Sequence, residues 1–433
     1  HNTMFYSFSF INCLRCEGNY CAVKFKSINS GMFEHDREIL GNHEAKKNNL
    51  GPALAKSINK IIQNEGYITH SLCVRDISTE GGNYLSSLKE VDIKGKTDKN
   101  YKETYLFIKL CLPSNEINIL SPQELFENEV FTYTELAELF NELQNKFCVP
   151  DKEKFQFVKY YDVDNYGSLI FDNMITQGFK ICNRLDVPPL KTVKLSIKHL
   201  AKFHGFSMVL KQYRPEFYKN KIQTFKHPYV FDENGKTFVT SMCNITSDYL
   251  EDDRKIKIEK FLPELYNKFN DYVNKNESKV KCLCHGDYRM NNILVKEENN
   301  GEAATVIPID YQHIYYGSPV LDLLYLIFMS TDQQFRKNHM ENLKNTYFES
   351  LAKYLRYFNI DVESVYPQED FEVDFSNQLD FGLIPSFILL PLLLVSEDNV
   401  PELSTEMKSM KLHDSFKSRI EGIIDDFIDW GYL

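Results

Sequence analysis

Apolar positions along this chain recur with two different periods, and the change between them divides the chain into two parts. Before about residue 172, short apolar runs separated by Gly, Asn and Asp turns predict strands. Helical spacing predicts one helix over 51–65 and a longer one over about Pro122–Lys146. We therefore expect an antiparallel sheet with one long helix in this part. The predicted strands are Tyr67–Ile77, Leu85–Ile93, Glu103–Leu112, Phe155–Asp162 and Ser168–Phe171.

Beyond residue 172 the pattern becomes mainly helical, which predicts an α+β protein with two lobes. We assign residues 51–174 to an N-terminal lobe and 175–433 to a larger C-terminal lobe. Residues 1–50 carry mixed patterns and are left unplaced. The predicted helices of the second lobe are Pro189–Leu210, Lys255–Asn274, Val320–Met329, Asn338–Phe358 and His413–Tyr432.

One hairpin interrupts the helices, and it carries most of the candidate chemistry. Two β-like runs flank a turn at Asn300-Gly301. If these two residues form a two-residue turn, the numbers of paired residues sum to about 601. Asn292 then lies opposite Ile309 and beside Asp310, with Asp287 just upstream of the first run. The hairpin therefore brings an amide and two carboxylates together at its open end.

This oxygen-rich corner suits a phosphoryl-transfer site. Amide and carboxylate oxygens such as those of Asn292 and Asp310 are ligands for Mg²⁺. A carboxylate beside them, Asp287, is placed to act as a general base. The spacing of five from Asp287 to Asn292 matches a kinase catalytic loop, whereas Asn291 is out of that register. We expect His285 to orient the loop rather than to react.

A predicted helix start follows the hairpin at Gly317-Ser318-Pro319. Asp322 lies in the first turn of this helix. It either caps the helix or braces the catalytic loop, and we expect a structural role rather than a catalytic one.

Upstream residues offer a second set of candidates for binding phosphates. Gly81-Gly82-Asn83 lies between two predicted strands, where backbone amides approach a phosphate or form an ordinary turn. Lys109 shares a strand face with aromatic residues and needs an anionic partner, unless it lies at an edge with its amine in solvent. On the long helix, Glu129 is the candidate partner for Lys109, with Glu127 and Glu124 as competitors.

Composition excludes several classes of function. The 433 residues are 43% apolar and 26% charged, as in globular proteins, and the net charge of −11 argues against nucleic acid as a partner. Ten scattered cysteines in so long a chain do not indicate a disulfide scaffold, so we expect free thiols and a cytoplasmic location. No protein partner is implied.

No segment of the sequence is predicted to span a membrane. The most apolar stretch, Phe381–Val395, is shorter than the ~20 residues that a span requires. Pro385 and Pro391 also interrupt it. We expect it to form buried core. The N-terminus lacks a basic segment before its apolar patch, so a signal peptide is not expected.

Taken in order, seven motifs resemble those of the ecdysteroid kinase-like family of invertebrates, whose CHK kinase-like domain is related to choline and aminoglycoside kinases. The resemblance covers roughly residues 75–400. The motifs are GGN-Y, IK, FxxExxxY, LxxFHG, CHGDxxxxN, IDYQ and GSPxLDLLY.

This resemblance implies a two-lobed protein-kinase-like fold and ATP-dependent phosphorylation of a hydroxyl on a small molecule, with ecdysteroids as the known theme. It implies that Lys109 holds the α- and β-phosphates of ATP and that Glu129 pairs with it. It also makes Asp287 the catalytic base, and Asn292 and Asp310 the Mg²⁺ ligands.

Two departures from the family pattern concern the substrate and the adenine. Tyr288-Arg289 stands where the family often has Leu-Trp, and this change affects the expected fit of the substrate. At the hinge, Phe171-Asp172-Asn173-Met174 replaces Leu-Glu-Asp-Leu, so Asp172 and Met174 are the candidate contacts to the adenine.

Two alternatives to a small-molecule kinase follow from the same residues. A protein kinase is disfavoured, because HGD replaces HRD and Asp310 is followed by Tyr-Gln rather than Phe-Gly. The other alternative is a catalytically inactive kinase-like protein that binds a nucleotide or a lipophilic ligand. Retention of Lys109, Asp287, Asn292 and Asp310 argues against it.

Overall fold

The computed structural model of the chain divides into two compact units. The smaller combines described residues between 11 and 113 with 158–179, and the larger combines 114–157 with 180–433. The predicted boundary at 174 lies close to the observed division at 179–180. The long helix, which we assigned to the N-terminal lobe, makes its contacts in the larger unit. The structure describes residues 23–26, 50–77, 86–111, 119–163, 167–275, 277–396, 407 and 409–433.

An antiparallel sheet forms the centre of the smaller unit, as the sequence predicted. Its described strands are β1 (Val23–Lys26), β2 (Tyr67–Ile77), β3 (Ser86–Thr97), β4 (Tyr101–Cys111), β5 (Tyr160–Val163) and β6 (Ser168–Asp172). Their order in the sheet is β1-β2-β3-β4-β6-β5. The strand prediction was wrong for residues 155–159. There the amide of Phe155 donates to Gln144 Oε1 at 2.6 Å instead of to a neighbouring strand.

Helix α1 (Pro52–Asn64) covers one face of this sheet. Pro52 at its first turn suits a helix start, and apolar residues at helical spacing form one buried stripe. Because side chains alternate along a strand, Leu106 and Ile108 of β4 share the core with this helix, while Lys109 lies on the opposite face of β4. The shared core includes Leu54, Ile58, Ile61, Ile62, Val91, Ile93, Leu106, Ile108 and Ile170.

The larger unit is mainly helical. The predicted long helix is continuous but has a π-helical turn, Thr132–Leu136, between its α-helical parts Pro122–Phe131 and Ala137–Lys146. The described helices of the larger unit are α2 (Pro122–Phe131), α3 (Ala137–Lys146), α4 (Leu190–Tyr213), α5 (Pro215–Asn220), α6 (Glu233–Ser247), α7 (Asp252–Ile258), α8 (Leu262–Asn270), α9 (Pro319–Ser330), α10 (Gln333–Arg356), α11 (Val362–Val365), α12 (Gln368–Gln378), α13 (Leu383–Ile388), α14 (Leu390–Leu393) and α15 (Ser415–Asp429).

Short strands among these helices carry the candidate active site. Strands β9 (Ile293–Glu297) and β10 (Ala303–Pro308) form the predicted hairpin, which β7 (Phe179–Ile181) joins on the β9 side. Strand β8 (Cys282–Cys284) pairs antiparallel with β11 (Tyr315–Gly317). The loop that follows β8 therefore lies next to the segment that precedes β11.

The predicted register of the hairpin is confirmed, but its turn is different. Pairs in the body of the hairpin, such as Pro308 with Ile293, sum to 601. The tip is a three-residue loop closed by Glu298 and Glu302, with Gly301 at φ +79°, rather than a two-residue turn. A bulge after Ala303 restores the register by one residue.

Two of the differences from the predicted helices have a clear local cause. Helix α6 was missed because polar and β-branched residues interrupt its apolar pattern; Asp232 caps it by accepting from the amide of Gly235 at 2.9 Å. The predicted helix over 255–274 is broken into α7, α8 and a π turn. Pro263, near the start of α8, has no amide hydrogen with which to continue the preceding helix.

None of the described helices combines the length and apolar character that crossing a membrane requires. The apolar stretch Phe381–Val395 instead folds into a 3₁₀ turn and the short helices α13 and α14. Its residues are almost all buried, as expected from the sequence.

The packing of α1 on the sheet gives a stability prediction. Replacing Ile58 with Ala removes buried apolar atoms and leaves a cavity, which we expect to lower the free energy of unfolding by about 2–4 kcal/mol. Hydrogen exchange measured in the full chain should show faster exchange in α1 and β4. The exposed neighbour Lys56→Ala is the matched control. Equal exchange in both variants would contradict this packing.

Candidate active site

The loop after β8 depends on a glycine. Gly286 has φ +81°, a conformation that L side chains rarely adopt. A Cβ atom there would also lie 2.1 Å from the backbone oxygen of His313. The loop at Gly286 and the segment at His313 therefore pack backbone to backbone. This contact fixes the path of the chain from His285 to Asp287.

A buried carboxylate from α9 holds this loop from behind. Asp322 Oδ2 accepts the amide of His285 at 2.5 Å, and Asp322 Oδ1 accepts the amide of Gly286 at 2.9 Å. His204 of α4 adds a third hydrogen bond at 3.0 Å between its Nε2 and Asp322 Oδ2. Asp322 therefore braces the loop, which is one of the two roles considered from the sequence. The contribution of His204 was not foreseen, although the residue lies in the LxxFHG motif.

The imidazole of His285 supports the loop and is fixed in one tautomer. Its Nδ1 accepts from the amide of Asp287 at 3.4 Å, so Nε2 carries the hydrogen that is donated to the carbonyl of Ile309 at 3.0 Å. Burial lowers the pKa of His285, which keeps the ring neutral. The expected orienting role therefore agrees with its contacts.

Three side chains hold the carboxylate of Asp287. Tyr325 and Arg289 donate to its Oδ1 at 2.7 Å and 2.9 Å, and Asn292 donates to its Oδ2 at 2.7 Å. A carboxylate has about four acceptor positions, so one position on Oδ2 is left for a further donor. Tyr325 lies on α9, the helix that carries Asp322. One helix thus positions both the loop and its carboxylate.

The altered residues Tyr288 and Arg289 make their contacts inside the protein, around the loop that carries Asp287. Tyr288 is buried and donates to the backbone oxygen of Ser196 at 2.7 Å. Burial would lower the pKa of Arg289, but the attraction of Asp287 outweighs it and raises the pKa. Neither residue lines the described pocket. The sequence expectation that they alter the fit of the substrate therefore has no support in these contacts.

The proposed metal ligands lie where the hairpin register predicts. The amide of Ile309 donates to the backbone oxygen of Asn292 at 2.9 Å, so Asn292 lies beside the end of β10 and Asp310. The side-chain amide of Asn292 donates to Asp287, and its buried Oδ1 has no hydrogen-bond partner among the described residues. Asp310 has φ +68°, a strained value for a non-glycine residue and one that Asp tolerates better than most.

These residues fit a divalent cation. A buried oxygen without a hydrogen-bond partner is costly unless a ligand or water satisfies it. The Oδ1 atom of Asn292 and the carboxylate of Asp310 supply hard oxygen ligands of the kind that Mg²⁺ prefers. Neighbouring Asn291 instead directs its amide to the backbone oxygen of Cys182 at 3.5 Å, in agreement with the register argument that set it aside.

Helix α2 is linked to the segment after Asp310. Gln312 donates to Glu129 Oε2 at 3.2 Å, and Asn128 donates to the backbone oxygen of Gln312 at 2.9 Å. Glu129 is fully buried, which distinguishes it from Glu124 and Glu127 on the same helix. Its pairing with Lys109 stays a prediction.

In the smaller unit, Lys109 is buried on β4, and its cross-strand neighbours are Leu88 and Leu169. Asp172 ends β6 and accepts from Gln177 at 2.6 Å; burial raises the pKa of Asp172. Met174 begins the following 3₁₀ turn. The roles of these residues in nucleotide binding stay predictions. Gly81, Gly82 and Asn83 lie outside the described residues.

An apolar pocket, partly open to solvent, lies against Asp287 in the larger unit. Aliphatic and aromatic residues form most of its wall, and Asp287 lies on the polar part with His313, Asp322 and Tyr325. The sequence did not predict this pocket, because its residues come from segments far apart in the chain. The apolar and aromatic lining comprises Ile119, Leu120, Tyr229, Phe238, Phe269, Tyr315, Leu321, Phe381, Ile384, Pro385, Ile388 and Leu389.

The sequence pattern that defines the Ecdysteroid kinase-like family matches residues 80–360. The chain belongs to this family. Family membership confirms the resemblance that the motifs indicated, and the kinase-like fold is confirmed with it.

Solved structures similar to this ecdysteroid kinase-like chain include a choline kinase from Cryptosporidium parvum Iowa II, with 12% identity and a TM-score of 0.47 over 92% of this chain and 98% of that one. A Plasmodium vivax ethanolamine kinase has 12% identity and a TM-score of 0.43 over 84% of each chain. No curated protein matches the sequence.

Loss of the Asp322 brace should weaken the fold and the site together. Asp322→Asn places an amide donor where an acceptor faces the loop, so we expect the free energy of unfolding to fall by about 2–4 kcal/mol. Chemical denaturation of the full chain measures this loss. The exposed Asp414→Asn is the control. An Asp322→Asn protein as stable as the control would disprove the role of this carboxylate.

The contribution of Asp322 should also depend on pH. Burial would raise its pKa, but interactions with His204 and His285 outweigh burial and hold the pKa below the ordinary 3.8. The unfolded chain therefore binds this proton more readily than the folded one. We expect the stability difference between wild type and Asp322→Asn to be constant near neutral pH and to shrink below about pH 4. A difference that grows on acidification would reverse this sign.

Proposed function

We propose that this protein is an ATP- and Mg²⁺-dependent kinase that transfers the γ-phosphate to a hydroxyl group of a small, largely apolar molecule. An ecdysteroid, a related steroid or a xenobiotic alcohol fits this description. The observation that carries the proposal is the position of Asp287, whose carboxylate is held by three donors and also lines an apolar pocket.

The hydrogen bonds of Asp287 leave a position for the hydroxyl of an acceptor. With Oδ1 occupied by Tyr325 and Arg289, the remaining acceptor position is on Oδ2, the oxygen that also contacts Asn292. If the hydroxyl of an acceptor donates to Oδ2 of Asp287, the oxygen of that hydroxyl lies near Asn292, the proposed metal ligand. Positioning of this kind supplies much of the rate enhancement in phosphoryl transfer.

In the proposed reaction, Asp287 acts as the base that accepts the hydroxyl proton. The acceptor oxygen forms a bond to the γ-phosphorus of ATP while the bond from that phosphorus to the bridging oxygen breaks and releases ADP. Asp287 takes the hydroxyl proton as the new bond forms. Arg289 and Tyr325 keep the carboxylate in one orientation during this transfer.

Asn292 and Asp310 would hold the metal, which supplies charge stabilisation for the phosphate oxygens when it is bound. The unsatisfied Oδ1 of Asn292 supports this assignment. We further propose that Lys109 and Glu129 act together on the α- and β-phosphates. Gly81, Gly82 and Asn83 would contribute backbone amides to the phosphates, and Asp172 and Met174 would contact the adenine.

The pocket favours an apolar acceptor over a strongly cationic one. Its two carboxylates, Asp287 and Asp322, are already bonded to donors within the protein, and its histidines are kept neutral by burial, which lowers the pKa of His227 to about 3. Aliphatic side chains occupy a large part of the remaining wall. Burying the apolar body of a ligand against this wall would provide most of its affinity.

The base assignment leads to a mutational prediction. Asp287→Asn removes the proton acceptor while keeping the shape of the side chain, so we expect phosphotransfer to fall by about 10³-fold. Calorimetry should show nucleotide affinity close to that of the wild type. The exposed Asp253→Asn provides the control. Undiminished turnover in Asp287→Asn would rule out Asp287 as the base.

The metal assignment can be tested with two adjacent amides. Asn292→Ala removes a proposed ligand, and we expect the Mg²⁺ concentration for half-maximal ATP-dependent thermal stabilisation to rise by about tenfold or more. Asn291→Ala is the matched control, because its amide contacts only the backbone of Cys182 among the described residues. The same Mg²⁺ dependence in both variants would exclude Asn292 as a ligand.

A further inference from the structure

One buried polar atom in the wall of the apolar pocket, Nε2 of His313, has no role in the proposed catalytic contacts. His313 lines the pocket that Asp287 also lines, and only 7% of its surface is exposed. Its Nε2 is buried and has no hydrogen-bond partner among the described residues. Asp310 is three positions away in the sequence, and the metal and base assignments do not use His313.

Three other polar side chains of the pocket wall, those of Tyr229, Tyr325 and Asp322, have partners inside the protein. The hydroxyl of Tyr229 donates to the backbone oxygen of Gly235 at 2.8 Å, and that of Tyr325 donates to Asp287. Asp322 accepts from the loop and from His204. His313 therefore stands out, because its Nε2 has no such partner in the described chain.

The second histidine of the pocket has a different arrangement. His227 Nδ1 accepts from the amide of Tyr229 at 3.3 Å, so its Nε2 carries the hydrogen. Its ring packs edge-on against Tyr315 and Phe269, with centroids 4.9 Å and 5.6 Å apart. Unlike Nε2 of His313, neither ring nitrogen of His227 is both buried and without a hydrogen-bond partner among the described residues.

The chemistry of a buried neutral imidazole defines what it can bind. Burial lowers the pKa of His313, and the neutral ring presents one N–H donor and one acceptor nitrogen. Such a ring can pair with a hydroxyl in either direction, or with a carbonyl as a donor. A ligand that supplies the missing partner gains affinity over one that leaves the nitrogen buried and unsatisfied.

We propose that His313 binds a second oxygen function of the acceptor, so that the pocket selects an apolar molecule carrying one hydroxyl at Asp287 and a further hydroxyl or carbonyl at His313. This inference deepens the proposed function and rests on it for the role of Asp287. The recognition that it assigns to His313 is a property of binding. It can therefore be measured without phosphotransfer.

Three matched ligands test the proposal: a steroid monoalcohol, the corresponding diol and the corresponding hydroxyketone, which share one ring system and one hydroxyl. Their affinities are measured by calorimetry with the full chain and without nucleotide. For the wild type we expect the diol and the hydroxyketone to bind at least about tenfold more tightly than the monoalcohol. Equal affinities, or no binding of any of the three, would overturn the proposal.

Variants of His313 separate recognition from packing. His313→Phe keeps a ring but removes both nitrogens, so we expect the affinity ratio of diol to monoalcohol to fall to within about twofold. His313→Gln retains a side-chain donor and acceptor and should restore part of the ratio. Leu389→Met changes the apolar wall alone and should leave the ratio unchanged. If His313→Phe does not alter the affinity ratio of diol to monoalcohol, a group other than His313 binds the second oxygen.

Failure of the inference and failure of the proposed function give different results. A ratio that depends on His313, without any ATP-dependent phosphorylation of the diol, would leave the recognition standing and reject the kinase assignment. Phosphorylation of diol and monoalcohol with equal kcat/KM, in wild type and His313→Phe alike, would support the kinase and reject the role of His313.

Discussion

The hydrogen bonds of Asp322 are the constraint on which the candidate active site depends. A carboxylate is costly to bury unless its oxygens are satisfied, and here two consecutive backbone amides and one imidazole satisfy them. Those amides belong to His285 and Gly286, so the interaction that stabilises the buried charge also sets the path of the loop. The positions of Asp287 and of the pocket wall beside it follow from that path.

The proposed base and the proposed metal ligand are in direct contact through one side chain. Asn292 donates from its nitrogen to Asp287 and leaves its oxygen for a cation. The amide group of Asn292 therefore fixes the separation between the proposed base and the proposed cation site. This explains why the spacing of five residues matters: the 3₁₀ turn Met290–Asn292 carries the amide back to the carboxylate.

Much of this site could be predicted from the sequence because it is local. The hairpin register, and with it the pairing of Asn292 with Ile309, followed from alternation and a turn signal, and it survived an error in the turn itself because a bulge compensates. The position of Lys109 on the face of β4 opposite Leu106 and Ile108 likewise follows from strand alternation alone.

Interactions between distant segments could not be predicted in the same way. His204 and Asp322 are 118 positions apart, and no periodicity links them. The bond from Arg289 to Asp287 spans only two positions, yet the sequence suggested a role in substrate fit, because a local pattern does not show which way a side chain points. The pocket has the same origin, being assembled from segments between Ile119 and Leu389.

Phosphorus NMR of a single reaction tests the central claim most directly. Wild-type protein is incubated with ATP, Mg²⁺ and an apolar polycyclic diol, with choline in a parallel sample. We expect a phosphate monoester signal from the diol that grows in step with ADP and is absent when Mg²⁺ is withheld. ATP left intact with every acceptor, or ATP converted only to ADP and inorganic phosphate, would contradict it.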